Sequence, residues 1–201
     1  MKVLVIGASG TIGQAVAAEL GARHEILSAG QNSGQFRVDI KDLASVQALF
    51  HETRKLDAVV VAAGSLHFGP LADMTPEQFN IGLQDKLMGQ VNVARLALET
   101  GVVRDGGSIT LTSGVLAQQP MPGSAAISLI NAGVEGFARA AALEAPRGIR
   151  VNVVSPGWVS ETLAAMGRDP SAGVPAAAVA QVYVASVEGS GTGLVMPALP
   201  G

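Results

Sequence analysis

The chain has 201 residues, enough for a sizeable core, and residues 1–201 are predicted to form a single domain. Hydrophobic residues make up 48% of it and aromatic residues only 3%, so the core must consist mostly of Ala, Val, Leu and Ile. A net charge of −3 provides no basic surface, and we expect neither nucleic acid nor an anionic membrane as a partner.

Metal sites and export signals are also not expected. The chain has no cysteine, and His24, His51 and His67 lie far apart in sequence. Only four apolar residues lie between Lys2 and the first glycine, which is too short for a signal-peptide core, and the uncharged stretch 106–134 contains too many polar residues for a membrane span. These observations predict a cytoplasmic protein.

The amino-terminal stretch predicts an anion-binding loop. The apolar run 3–6 is typical of a strand that is buried on both faces, and it leads directly into the glycine-rich segment 7–13. A helix that begins near Thr11 would direct its free N–H groups at a ligand over this loop, and pyrophosphate is the usual one. The spacing G-x-x-G-x-x-G is weak evidence alone, since such a turn can simply allow close packing of the helix.

Predicted strands and helices alternate along the rest of the chain. The predicted strands after the first are 25–29, 36–38, 57–62, 107–113, 149–154 and 193–196. The predicted helices are 11–20, one beginning at Asp42, 75–100, 123–145 and 175–187. This alternation predicts an α/β fold of the Rossmann type, a doubly wound parallel sheet of about seven strands with helices on both faces.

Several motifs together, in this order, resemble the short-chain dehydrogenase/reductase family over nearly the whole chain. They are GASGTIG (7–13), VDIKD (38–42), VVVAAGS (59–65), SITLTSG (108–114), AGVEGFARAAALE (132–144) and IRVNVVSPGWV (149–159). The resemblance implies a domain that binds NAD or NADP and an oxidoreductase that acts on a small carbonyl or alcohol.

The resemblance also implies where the cofactor binds. The residues it assigns are Gly7, Ser9, Gly10, Thr11, Ile12 and Gly13 at the pyrophosphate, Asp39 and Ile40 at the adenine, Ala62, Ala63 and Gly64 along the ribose, and Pro156, Gly157 and Val159 at the nicotinamide. Asp39 could instead only cap a helix, and Ala63 and Gly64 could only allow close packing.

The choice between NAD and NADP is poorly encoded. In the family, an acid after the second strand selects NAD, and a basic residue there or in the glycine loop selects NADP. Here the turn contains Gln31, Asn32 and Ser33, which carry no charge. Because a 2′-phosphate would meet neutral donors and no acid, we favour NADP slightly, with these three residues as contacts.

The catalytic pair of the family is missing. The family uses a Tyr to supply the proton, a Lys four residues later, a Ser that holds the carbonyl oxygen, and an Asn on an earlier helix. Ser113 matches the serine, but Ile127 and Asn131 stand at the Tyr and Lys positions, and Lys86 stands at the helix Asn position. Amide and ammonium are thus exchanged between two positions that face one cavity in the family.

From this exchange we hypothesise that Lys86 and Asn131 maintain a polar site beside Ser113; the alternative is that Lys86 faces solvent. His67 is a candidate replacement acid, although a plain loop histidine is the simpler interpretation. The residues that could also line the cavity are Gln118, Gln119 and Ser124, whereas the only tyrosine, Tyr183, is interpreted as structural. Trp158 is expected beside the nicotinamide.

Three functions remain open. The first is an NAD(P)-dependent oxidoreductase with an atypical active site, and the second is a catalytically weak or inactive NAD(P)-binding sensor or partner subunit. The third, an interaction domain without a nucleotide, requires an empty glycine loop. The family commonly pairs the helices that match 75–100 and 123–145, so we expect a homodimer or homotetramer.

Overall fold

The computed structural model describes residues 1–200, and within them seven strands pair in parallel to form one sheet. The strands are β1 (Lys2–Ile6), β2 (Glu25–Gly30), β3 (Phe36–Arg37), β4 (Leu56–Val61), β5 (Val103–Thr112), β6 (Arg150–Pro156) and β7 (Val195–Ala198). Their order across the sheet is β3-β2-β1-β4-β5-β6-β7. Because the direction of winding reverses between β1 and β4, a ligand crevice is expected at the carboxyl ends of these strands.

Helices cover both faces of the sheet, which confirms the predicted doubly wound α/β fold. They are α1 (Thr11–Gly21), α2 (Leu43–Thr53), α3 (Pro76–Gly82), α4 (Gly89–Glu99), α5 (Ala125–Glu144), α6 (Ser160–Ala165) and α7 (Ala176–Glu188). Helices α1 and α7 pack on one face, and α2, α4 and α5 pack on the other. No helix among the described residues has the length and apolarity that crossing a membrane requires.

The first strand shows why the sheet is buried on both faces. Leu4 and Ile6 belong to the core beneath α2, α4 and α5, whereas Val3 and Val5 belong to the core beneath α1 and α7. All four side chains are at most 1% exposed. Alternate residues of a strand point to opposite faces, so an unbroken apolar run supplies both cores at once.

The segment predicted as one helix from 75 to 100 is more complex. Thr75 and Gln78 form the expected capping box at the start of α3. A π-helical turn, Leu83–Met88, then separates α3 from α4. Single π-helical turns widen the backbone locally and occur often at functional sites. Lys86 lies in this turn.

Several predicted boundaries were wrong. Gly123 has a left-handed φ of +85°, so α5 begins only at Ala125 rather than at 123. Gly193 has a φ of +71°, and β7 is therefore two residues later than predicted. The short helix α6 was not predicted, because its six residues are too few for a periodic pattern.

Candidate active site

Two cavities meet at the carboxyl edge of the sheet, where Ala63 and Gly64 line both of them. The first has a volume of about 270 Å³ and lies against the ends of β5 and β6. The second has a volume of about 200 Å³ and lies against the ends of β1 and β2. We call them the catalytic-side cavity and the adenine-side cavity. Together they form one crevice across the switch point of the sheet.

Most of the residues that the resemblance assigns to the cofactor lie along this crevice. Ile12, Ala62, Ala63, Gly64, Pro156, Gly157 and Val159 line the catalytic-side cavity, together with Trp158. Gly7, Ser9, Gln31, Asn32, Ser33, Asp39, Ile40, Ala63 and Gly64 line the adenine-side cavity. Thr11 lies outside both, in a shallow depression beside α7.

The glycine loop is a tight connection from β1 into α1. Gly7 has a φ of +87°, and a Cβ there would lie 2.6 Å from the carbonyl oxygen of Ala62. A Cβ on Gly13 would overlap the backbone of Gly7. No side chain caps α1, whose N-cap is Gly10. The loop therefore leaves the first turn of α1 open to an anionic ligand, and these residues fit a dinucleotide pyrophosphate.

The adenine-side cavity contains no basic side chain in its wall. Each of the two acidic side chains in its wall accepts a hydrogen bond from a backbone N–H. The donor to Asp39 is Lys41, and the donor to Asp85 is Ser65. Gln31, Asn32 and Ser33 form the turn after β2 and supply neutral polar groups.

Lys86 is buried in the wall of the catalytic-side cavity and is only 7% exposed. Its Nζ donates to the backbone carbonyl of Ser113 at 2.9 Å and to Oδ1 of Asn131 at 2.8 Å. Burial lowers the pKa of the Lys86 ammonium from 10.5 to about 8. Lys86 is thus not a solvent-facing residue. Gly64 makes room for it, since a Cβ on Gly64 would lie 2.7 Å from Cβ of Lys86.

The hydroxyl of Ser113 is bonded to an acid that sequence reasoning did not identify. Ser113 Oγ donates to Oε1 of Glu135 at 2.8 Å, and Gln118 Nε2 donates to Oε2 of the same carboxylate. Glu135 is only 3% exposed. One signal was available: Glu135 follows Asn131 by four residues on a helix, so both side chains lie on the same face.

Other sequence candidates lie outside the catalytic-side cavity. Gln118 and Gln119 border a different depression beside β7, and Ser124 bonds to Ser128 and to the backbone of Met121. His67 does not line the cavity either, although its neighbour Leu66 does. The expectation that Gln118, Gln119 and Ser124 line the cavity was therefore wrong.

Neither Ile127 nor Tyr183 supplies a proton donor to this cavity. Ile127 lines it with an apolar side chain. Tyr183 is fully buried in the core on the opposite face of the sheet, where its hydroxyl bonds to Oγ1 of Thr112 at 2.6 Å. Burial raises the pKa of the Tyr183 phenol further. Tyr183 is a core residue, as the sequence indicated.

Curated relatives and solved structures point to one family. The family model described as enoyl-(acyl carrier protein) reductase matches residues 7–186. Oxidoreductase UcpA of Salmonella typhimurium is 29% identical over 80% of this chain and 70% of its own. The 3-oxoacyl-[acyl-carrier-protein] reductase of Mus musculus is 33% identical over 77% of this chain and 74% of its own.

The solved structures agree in fold. The protein lin1944 from Listeria innocua is 38% identical, with a TM-score of 0.91 and 98% of both chains covered. A small-chain dehydrogenase solved in complex with NADPH is 27% identical, with a TM-score of 0.87 over 98% of this chain and 95% of its own. The chain therefore belongs to the short-chain dehydrogenase/reductase family.

Proposed function

We propose that residues 1–201 form one NADP(H)-binding domain that reduces a small carbonyl compound to an alcohol, with Lys86 as the proton donor. The observation that carries the proposal is the buried ammonium of Lys86, which lies in the wall of the cavity next to the open glycine loop. A buried cation that is paired only with neutral acceptors is costly to the fold, and such groups are concentrated at functional sites.

The cofactor would extend along the whole crevice. Its pyrophosphate would lie over Gly7, Ser9, Gly10 and Ile12 at the start of α1, and its adenine against Asp39 and Ile40. When bound, the reduced nicotinamide supplies a hydride, and Pro156, Gly157 and Val159 would flank it. Support comes from the similar small-chain dehydrogenase that was solved with NADPH.

The chain's own residues would supply the proton. Lys86 Nζ carries three N–H bonds, and two of them are donated to Ser113 and Asn131. The third is available for the carbonyl oxygen of a substrate, where it would stabilise the developing negative charge and then transfer its proton. A pKa near 8 suits this role, because the ammonium is then mostly protonated at neutral pH and still acidic enough to donate.

Ser113 and Asn131 would act with Lys86 as the polar wall of the site. Asn131 fixes the ammonium through its Oδ1, and Ser113 fixes it through its backbone carbonyl. The lysine that the family places on α5 is thus replaced by an amide, and the ammonium reaches the same space from the opposite wall.

The preference for NADP rests on the turn after β2. A 2′-phosphate would meet Gln31, Asn32 and Ser33, whose neutral side chains can donate hydrogen bonds without repelling it. An acid at this turn, which would bind the ribose hydroxyls of NAD, is absent from the sequence.

A fluorescence titration tests the proposal. Trp158 is the only tryptophan and lines the catalytic-side cavity, so excitation of Trp158 should give energy transfer to the reduced nicotinamide. We expect saturable transfer with NADPH at lower concentrations than with NADH. Oxidation of NADPH should then be followed by the absorbance of the reduced nicotinamide with a panel of small aldehydes and ketones. Absence of transfer with both cofactors would overturn the proposal.

A second candidate function is a cofactor-binding sensor or partner subunit without turnover. Ile127 favours it, since the family's phenol is absent and the cavity wall there is apolar. Saturable NADPH binding combined with no turnover across the panel would support this function over the first.

We also propose a homo-oligomer assembled through α4 and α5. Leu129 and Leu143 on α5 are 53% and 89% exposed, which leaves apolar surface on the helix that the family uses for pairing. Size-exclusion chromatography at micromolar concentration should give a dimer or tetramer, and a monomer would remove this part of the proposal.

A further inference from the structure

We infer that the catalytic-side cavity takes a small carbonyl compound with a hydroxyl group on the neighbouring carbon, because Glu135 turns Ser113 into a hydrogen-bond acceptor beside the donor Lys86. The inference rests on the proposed reduction and deepens it by naming the substrate class. It starts from the contacts of Ser113, whose role in this chain differs from that of a serine that donates to a carbonyl oxygen.

The hydroxyl hydrogen of Ser113 is already used. Ser113 Oγ lies 2.8 Å from Oε1 of Glu135, and an ionised carboxylate can only accept. A hydroxyl group has one hydrogen and two lone pairs. With the hydrogen directed to Glu135, only the lone pairs of Ser113 remain for a ligand in the cavity.

Both oxygens of Glu135 face hydrogen-bond donors. Oε1 accepts from Ser113, and Oε2 accepts from Gln118 and lies 3.9 Å from the guanidinium of Arg139. Because Glu135 is buried, loss of these partners would be costly, so the direction of the Ser113 hydroxyl is built into the fold.

A hydrogen-bond donor lies in the same cavity wall as this acceptor. Lys86 bonds to the backbone carbonyl of Ser113, and both residues line the catalytic-side cavity, so one small ligand would meet both side chains. A ligand with a carbonyl oxygen for Lys86 and a hydroxyl hydrogen for Ser113 would satisfy both groups from adjacent carbon atoms.

The cavity also limits the size of the ligand. Its volume of about 270 Å³ would have to hold the nicotinamide as well, and Leu116 and Ile127 give it apolar walls. The geometry therefore favours small 2-hydroxy ketones and 2-hydroxy aldehydes over plain ketones of the same shape.

Two ligands of nearly equal shape separate these classes. In 3-hydroxy-3-methylbutan-2-one a hydroxyl takes the place of one methyl group of 3,3-dimethylbutan-2-one, and the tertiary hydroxyl cannot be oxidised. Binding of each is measured by calorimetry with the protein alone and with the protein saturated with NADP⁺. We expect the hydroxy ketone to bind about tenfold more tightly, which corresponds to one net hydrogen bond. Equal affinities, or tighter binding of the dimethyl ketone, would overturn the inference.

Exchange of Glu135→Gln tests the positioning role of the acid. Gln118 donates to the position of Oε2, so the new amide should place its oxygen there and its nitrogen against Ser113. Ser113 would then donate into the cavity. A ligand that can only accept there, 3-methoxy-3-methylbutan-2-one, should therefore gain about tenfold in affinity relative to the dimethyl ketone when Glu135→Gln replaces the wild type. Ser113→Ala should abolish the wild-type preference for the hydroxy ketone. Glu144→Gln, at an exposed position of the same helix, is the matched control and should leave the preference unchanged.

The outcomes also distinguish this inference from the proposed function. If neither cofactor binds, the proposed reduction is wrong. The ratio of the affinities for the hydroxy ketone and the dimethyl ketone, measured without cofactor, still tests the inference. NADPH turnover without any hydroxyl preference would overturn only the inference. If Glu135→Gln does not fold, as judged by its thermal unfolding, the wild-type ratio and Ser113→Ala still decide it.

Discussion

Lys86 on the π-helical turn donates to Oδ1 of Asn131 on α5 at 2.8 Å, deep in the wall of the crevice. The contact joins two elements that lie on either side of the cavity, and the amide oxygen of Asn131 accepts the hydrogen bond. Both positions are buried, and loss of Lys86 would leave Oδ1 of Asn131 and the backbone carbonyl of Ser113 without this donor.

Loss of the Lys86 ammonium should abolish most of the activity while cofactor binding remains. We expect Lys86→Met to lower kcat by about 10² to 10⁴, the usual contribution of a positioned general acid. Lys55→Met, at an exposed lysine, is the matched control and should leave kcat unchanged. Steady-state rates of NADPH oxidation and the Trp158 titration measure the two effects separately. Unchanged kcat in Lys86→Met would contradict the assigned role.

The rate of carbonyl reduction should depend on the protonation of Lys86. The pKa of this ammonium is lowered to about 8 by burial, and reduction requires the protonated form. We therefore expect kcat/KM for reduction to be level below pH 8 and to fall about tenfold per pH unit above it. Lys86→Met should show no such descending limb in its residual rate. A wild-type profile that remains level up to pH 10 would exclude Lys86 as the proton donor.

Protein stability should respond to pH through the same residue. The folded-state pKa of Lys86 lies below its usual value of 10.5, so between about pH 8 and 10.5 the unfolded chain binds more protons than the folded protein. Stability of the wild type relative to Lys86→Met should therefore rise across this window, by on the order of 1–3 kcal/mol. Urea unfolding of both proteins at pH 7.5 and 10 measures the difference. A constant difference would show that burial does not shift the lysine.

Alanine substitution of two glycines should distinguish the tightly packed loop from the more open surface of a helix. A Cβ on Gly13 would overlap the backbone of Gly7, and we expect Gly13→Ala to destabilise the protein by about 1–3 kcal/mol. A Cβ on Gly136 meets nothing within 4 Å in one chain, and Gly136→Ala should stabilise the helix of the monomer by about 0.5–1 kcal/mol. Gly136 shares its helix face with Leu129 and Leu143, so unfolding is measured at a concentration at which the protein is monomeric. Thermal unfolding of the two variants should shift in opposite directions. An unchanged unfolding temperature of Gly13→Ala would contradict the tight packing of this loop.

An acid at the turn after β2 should reverse the cofactor preference. Gln31 lines the adenine-side cavity, and a carboxylate there would repel a 2′-phosphate and accept hydrogen bonds from ribose hydroxyls. We expect Gln31→Asp to weaken NADPH binding at least tenfold and to strengthen NADH binding. Gln47→Asp, at an exposed position of α2, adds the same charge elsewhere and is the control. Equal effects of the two variants on NADPH would contradict the placement of the phosphate.

Much of the fold could be read from local patterns. The apolar run 3–6 and the run 57–62 became β1 and β4, which lie side by side at the centre of the sheet. The capping box at Thr75 and the cap at Asp42 also start helices as predicted. Helix caps depend only on neighbouring residues, and an apolar run indicates a parallel strand that is buried on both faces. Both can therefore be recognised in the sequence without knowledge of the tertiary contacts.

The sequence by itself determined that the chain is a doubly wound α/β protein of this family with a glycine loop. Its resemblance to the family also predicts that Ile127 and Asn131 stand at the positions of the usual Tyr and Lys. Only the tertiary structure decided that Lys86 is buried against Asn131, and that Ser113 gives its hydrogen to Glu135. These contacts join residues 45 and 22 positions apart, across the space between packed elements. Motif spacing defines the strands and loops, but the partner of a buried polar group depends on which helices the sheet brings together.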